Sequence, residues 1–292
     1  MPSTAEQLNE RGCELLDEDR RDEAVEAFQR AAAAAPAWGA PWYNLGLMYK
    51  TQRCWAESAA CNRRATDLDP RNEAAWWNLG IAATALGDWR LARAAWRGFG
   101  VEMPDGDGPL ELDYGPVPVR LRPEDDGEVV WADRLDPARA VIRSVPFPGS
   151  GFREGDIVLH DGEPQGTRQY AGDEYDVFDV LEVLRPSSRQ TYVAWITAYD
   201  AAAVDALDRT AASSGAAVED WTRTVHQVCH RCGGRPHTHE LWNAAGWNPE
   251  RHVGISAESL ECASAVLLEW VSAGPSRALI ALRPDDVPRR SR

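Results

Sequence analysis

A chain of 292 residues has the length of two or three domains. Its 44% hydrophobic and 26% charged residues exclude disorder over most of that length. With 46 acidic against 31 basic residues the net charge is −15, which excludes a general binder of nucleic acid or of anionic membranes, because phosphates need a positive field.

No apolar run approaches the ~20 residues of a membrane-spanning helix. Met1 to Gly12 is polar and holds no apolar signal core, so a cytoplasmic location is expected. Cys13, Cys54 and Cys61 are scattered through an Ala-rich region and read as reduced thiols rather than a disulfide framework.

Three segments beginning at Ala5, Gly39 and Glu73 align at a period of 34 residues. The fourth positions are Leu8, Trp42 and Trp76, and the seventh are Arg11, Leu45 and Leu79. The eighth are Gly12, Gly46 and Gly80, and each segment closes on a proline, Pro36, Pro70 or Pro104. Apolar residues recur at helical spacing, as in Ala24, Ala27, Phe28 and Ala31. A glycine at the eighth position lets two helices approach closely. Asp69-Pro70 and Met103-Pro104 are predicted helix stops. These features resemble the tetratricopeptide repeat (TPR) over residues 5–104. The resemblance implies six antiparallel helices in a right-handed superhelical stack. Arg11 and Asn62 depart from the family pattern, which has apolar and aromatic residues there.

The resemblance also implies a concave face built from the first helix of each repeat. Tyr43, Leu47, Lys50, Trp77 and Ile81 fall on it and are the expected partner-binding groove. One TPR subclass clamps a C-terminal carboxylate with Lys, Asn and Arg. Asn44 fits that pattern, but Asn9, Cys13, Glu73 and Trp77 occupy the other clamp positions and would not hold two carboxylates. The strip is read either as a groove for a protein or peptide ligand or as a surface filled by the chain's own C-terminal part.

Residues 107–116, rich in Gly, Pro and Asp, read as a linker. A β-rich domain follows over 117–199, with period-two strands at 117–121, 128–132, 139–145, 156–160, 175–184 and 191–197, which suggests a small barrel or half-open sheet. Asp161-Gly162 is the predicted hairpin turn, with His160 solvated beside it. Asp173, Glu174, Asp176 and Asp179 read as a solvated acidic face.

The third region, 200–283, reads as an α+β lobe in a strand–helix–strand–strand–helix–strand order, the split βαβ arrangement. Asp200 and Ser256 are its predicted helix caps. The tail, 284–292, reads as disordered. Within the lobe, Cys229 and Cys232 form a CxxC followed by Gly233, and His237 and His239 come shortly after. Two thiolates from one turn plus two imidazoles on the same side of an extended segment make a tetrahedral set suited to Zn²⁺. His226, His230, His252 and Cys262 are possible substitutes for one ligand.

The whole is thus an α+β multidomain chain: a three-repeat TPR solenoid, a β-rich barrel or sheet, and a lobe with a structural zinc knuckle. The expected function is an adaptor binding a protein or peptide, with no nucleic acid, no membrane and no catalytic residue assigned. The alternative is a zinc-dependent hydrolase acting on a protein substrate delivered by the repeats.

Overall fold

The computed structural model describes residues 3–123, 127–225 and 247–285. The chain divides into two compact units, Met1–Glu111 and Leu112–Arg292.

In the first unit, α1 (Thr4–Asp17), α2 (Arg21–Ala34), α3 (Gly39–Thr51), α4 (Trp55–Leu68), α5 (Glu73–Leu86) and α6 (Trp89–Phe99) form three hairpins. Local chemistry sets the helix ends. Ser3 and Glu6 close a capping box on α1. Asn72 and Asp88 accept the backbone N–H groups of Ala75 and Leu91 at the starts of α5 and α6. Each hairpin is pinched where an eighth-position glycine meets a second-helix side chain: Gly12 on Phe28, Gly46 on Asn62, and Gly80 on Trp96. A Cβ on any of the three would stand inside van der Waals distance of that partner. Asn62, where the family pattern is aromatic, is fully buried and donates to the Ser58 carbonyl at 2.9 Å.

The third repeat stops earlier than the Met103-Pro104 signal predicts. Gly100, at φ +104°, ends α6 in the left-handed region that glycine adopts without strain. Three arginines of α6 then hold the following segment. Arg93 donates to the Pro104 and Gly108 carbonyls, Arg97 to the Met103 carbonyl and Asp105, and Arg90 pairs with Asp107. Met103 and Leu110 are buried. The predicted 107–116 linker is therefore in its first half a docked part of the helical unit.

In the second unit, β1 (Pro116–Arg120), β2 (Val129–Arg134), β3 (Arg139–Ile142), β4 (Ile157–Tyr170) and β5 (Asp173–Arg185) pair antiparallel in chain order. β5 returns to β1 through the parallel pairs Val119–Phe178 and Arg120–Asp179, so the sheet curls back onto its first strand. A two-bond ion pair at 2.6 and 2.8 Å joins Arg120 to Asp179 there. Asp179 is thus a structural partner rather than part of a solvated acidic face. The inside is filled by Val119, Leu121, Val130, Ile142, Val158 and Phe178.

The turn at Asp161-Gly162 is not formed. β4 runs on through irregular register to Tyr170, and the hairpin turns at Ala171 and Gly172, both at positive φ (54° and 97°). The register shifts absorb Pro164 and its neighbours, which a regular ladder would exclude.

β6 (Gln190–Ala198), α7 (Ala201–Ser213), β7 (Ala217–Asp220), α8 (Trp221–Val225), β8 (Glu250–Ala257), α9 (Leu260–Ser272) and β9 (Arg277–Pro284) complete the unit. The sheet order is β7-β8-β6-β9 with every pair antiparallel, which is the split βαβ arrangement. Asp200 caps α7 as predicted, whereas Ser259, not Ser256, caps α9. Ala194, Ile196, Val253 and Ile255 face α7 and α9, burying Leu207, Leu267 and Trp270. β6 is therefore central to this sheet, and the predicted boundary at 199/200 cuts through it.

The opposite face of the sheet meets the β3–β4 connection. Trp221 lies on Gly254 and donates to the Val145 carbonyl at 2.8 Å. Val145 N–H donates to Glu219, and Phe147 N–H donates to Glu128. Ser256 and Arg189 both donate to the buried Glu154 carboxylate. Val145, Val193 and Trp221 form the apolar centre of this junction. Burial, with the Glu219 charge nearby, pushes the Glu128 carboxyl up to about 8.

Gly80→Ala is expected to destabilise the helical unit by about 1–3 kcal/mol, because buried Trp96 must move. Gly108→Ala meets nothing within 4 Å and serves as the neutral control, both read by denaturant unfolding of the helical circular-dichroism signal. At the junction, folded Glu128 keeps its proton up to about 8 while the unfolded carboxyl loses it near 4.5. Unfolding then releases a proton, so stability falls as pH rises between those values. Glu128→Gln is expected to flatten the stability profile from pH 6.5 to 8, measured by urea titration across that window.

Candidate functional site

The first helices α1, α3 and α5 line one side of the helical unit. Asn44 of α3 donates to Asn9 of α1 at 2.9 Å, which fixes the side on which these helices face each other. Each repeat junction uses the same device. Trp42 Nε1 donates to the Pro36 carbonyl at 3.3 Å, and Trp76 Nε1 donates to the Pro70 carbonyl at 2.9 Å. A fourth-position indole, an eighth-position glycine and a closing proline thus recur as three-dimensional contacts at the 34-residue period.

The N-terminal helical segment fits the tetratricopeptide repeat. No family model matches the sequence, and no curated protein does. Among solved structures the chain is similar to the second TPR of Spaghetti (RPAP3) bound to the HSP90 peptide SRMEEVD, at 24% identity, over 33% of this chain and 90% of that one, with a TM-score of 0.32. The Sgt2 TPR domain from Aspergillus fumigatus matches at 23% identity over 34% and 66% of the two chains, with a TM-score of 0.31. The Arabidopsis OM64 TPR domain matches at 20% identity over 32% and 77%, with a TM-score of 0.30.

Burial along the TPR concave positions changes from one end to the other. At the ninth position Cys13 is exposed, Leu47 is half-buried and Ile81 is fully buried. At the twelfth, Leu16 is half-buried, Lys50 is 7% exposed and Thr84 is 2% exposed. At these two positions the face is thus open at the first repeat and buried at the third, whereas Ala74 and Trp77 of the third repeat keep exposure. Of the five expected groove residues, Tyr43, Leu47 and Trp77 keep partial exposure. Ile81 belongs to the core instead, and the buried Lys50 offers no open cation. Trp77 is itself held by packing. Its ring lies edge-on to Trp96 and Phe99, at 5.1 and 4.7 Å between centroids.

The Cys229, Cys232, His237 and His239 set lies outside the described residues, as do His226 and His230. Two of the reserve ligands are described. His252 stacks on Trp195 at 4.9 Å and meets Trp221 edge-on, on the sheet face turned away from α9. Cys262 is exposed on α9, which packs on the other face. The sheet separates the two, so they do not share an ion. Among the described residues no group of three or more His, Cys, Asp or Glu side chains is placed to hold a metal. No helix among them is long and apolar enough to cross a membrane.

His160 is not solvated. It is fully buried beside Phe178, its Nδ1 lies 2.7 Å from the Asp161 carbonyl, and burial pushes its pKa down to about 4. It is a neutral core histidine among the strands. The arginine row of α6 and the gradient of groove burial were not anticipated. The spacing of Arg90, Arg93 and Arg97 on one helix face was visible in the sequence, but nothing in sequence named the carbonyls they reach.

Proposed function

We propose that this chain is a protein-interaction adaptor that takes a peptide or a partner segment in the groove of its first two TPR repeats. The observation that carries the reading is the partial exposure of Tyr43 and Leu47 next to the open concave face of α1. Half-exposed apolar and aromatic side chains on a rigid helical face suit a ligand that brings its own apolar anchor. Asn9, Cys13, Glu73 and Trp77 occupy the remaining clamp positions and would not hold two carboxylates, so a C-terminal carboxylate is not the proposed ligand.

Tyr43→Ser and Leu47→Asn are expected to abolish retention of partners captured by the intact protein, with the helical circular-dichroism signal unchanged. Both side chains are partly exposed, which makes them better probes than Trp77, whose removal opens the Trp96–Phe99 cluster. Identical partner sets from wild type and both variants would remove the groove from the function.

We further propose a structural zinc held by Cys229, Cys232, His237 and His239. The donor set, two thiolates and two imidazoles, matches a closed tetrahedral site. The backbone supports a local excursion. Asp220 pairs with Val253 across the edge of the sheet, so the chain between them leaves and returns at adjacent positions. Ligation by four residues of this stretch would tie it to itself. Elemental analysis of the purified protein is expected to give about one zinc per chain. Cys229→Ser with Cys232→Ser is expected to lose it, and an X-ray absorption edge without sulfur ligation would refute the assignment.

A further inference from the structure

The acidic residues of α1 and of its turn into α2 fall into two sets. On one side, Arg11 pairs with Glu14 and Glu18 at 2.8 and 3.5 Å, and Arg20 pairs with Glu18 and Glu23 at 2.7 and 2.5 Å. On the other, Glu6, Glu10 and Asp17 form a row with Cys13 at helical spacing, and all four are exposed. Glu6 accepts only the Ser3 N–H of the capping box. Glu10 and Asp17 have no ion-pair partner among the described residues. Asn9, which bonds Asn44 of α3, lies between this row and α3, so the row borders the groove. The charge is therefore uncompensated at the first-repeat end of the helical unit, on the side where α1 meets α3 through Asn9 and Asn44.

We infer that the groove takes a basic peptide segment whose Arg or Lys side chains lie along Glu6, Glu10 and Asp17 while an apolar residue sits against Tyr43 and Leu47. The inference rests on the groove reading above and adds the chemistry of the ligand. Opposite charge along one wall favours a cationic ligand and disfavours an acidic one. The apolar contacts supply an anchor that does not depend on salt.

The test uses the full-length protein and three labelled dodecapeptides of one sequence pattern. The first is built of Arg-Leu-Ala units, and the others carry Glu or Gln in place of every Arg. Fluorescence anisotropy is expected to show binding of the Arg peptide alone, weakened at least about tenfold by raised salt. Glu10→Lys with Asp17→Lys is expected to remove that binding and to admit the Glu peptide. Alkylation of Cys13, followed by mass spectrometry, is expected to slow when the Arg peptide is bound, while exposed Cys262 reacts unchanged. No binding of the Arg peptide at low salt would overturn the inference. So would an Arg peptide that binds the charge-reversed variant equally well, since general attraction to a chain of net charge −15 then suffices. If the Gln and Glu peptides bind as tightly as the Arg peptide and Leu47→Asn abolishes all three, the groove stands and the charge inference falls. If Leu47→Asn and Tyr43→Ser leave the salt-sensitive Arg binding intact, the groove reading falls, and the inference that rests on it falls with it.

Discussion

The helical unit depends on a bare backbone at one position of each repeat. Gly12, Gly46 and Gly80 let the second helix lay Phe28, Asn62 or Trp96 directly on the first. That close approach sets the hairpin, and stacking the hairpins orders α1, α3 and α5 side by side. The partners differ in kind. Phe28 and Trp96 fill the site with apolar volume, whereas Asn62 fills it with an amide tied to Ser58, whose hydroxyl in turn donates to the Gly46 carbonyl. The middle repeat thus secures the same approach with hydrogen bonds rather than an aromatic ring.

The second unit is organised around β6. It pairs on both edges, and its alternating side chains enter two apolar clusters, Ala194 and Ile196 toward the helices, Val193 toward Val145 and Trp221. A strand used on both faces belongs to the β-rich part by its neighbours in sequence and to the α+β part by its pairing. The junction on its second face is polar at its rim. Glu128, Glu154 and Glu219 receive backbone, hydroxyl and guanidinium donors from the facing elements, so these carboxyl groups fix the β3–β4 connection between β2 and the sheet.

The repeat was legible because its signals are periodic and local. Glycines and prolines recur at one spacing, and each has a single physical role. The split βαβ order was legible for a related reason, since Asp200 and the apolar faces of α7 and α9 mark helices between strands. What local pattern could not show was depth. Ile81 and Leu47 occupy equivalent repeat positions, yet one is fully buried and the other is not. His160 sits beside an Asp-Gly pair that suggests a turn, but irregular pairing carries β4 past it and leaves the imidazole inside. Asp179 reads as one of four acids in a run, and only the return of β5 onto β1 brings it to Arg120. β6 pairs with β8 and β9, across the expected boundary near 199, because strand pairing is long-range and composition is not.

Depth also decides which part of the concave face can act. A repeat groove is often treated as one continuous surface, but here accessibility falls from Cys13 to Leu47 to Ile81. The third repeat contributes rigidity through Trp77, Trp96 and Phe99 rather than contact area. A ligand in the groove gains specificity from charge more than from area, because apolar contact over a few side chains discriminates weakly. Five arginines of the unit are engaged elsewhere: Arg11 and Arg20 pair with Glu14, Glu18 and Glu23, and Arg90, Arg93 and Arg97 hold the segment after α6.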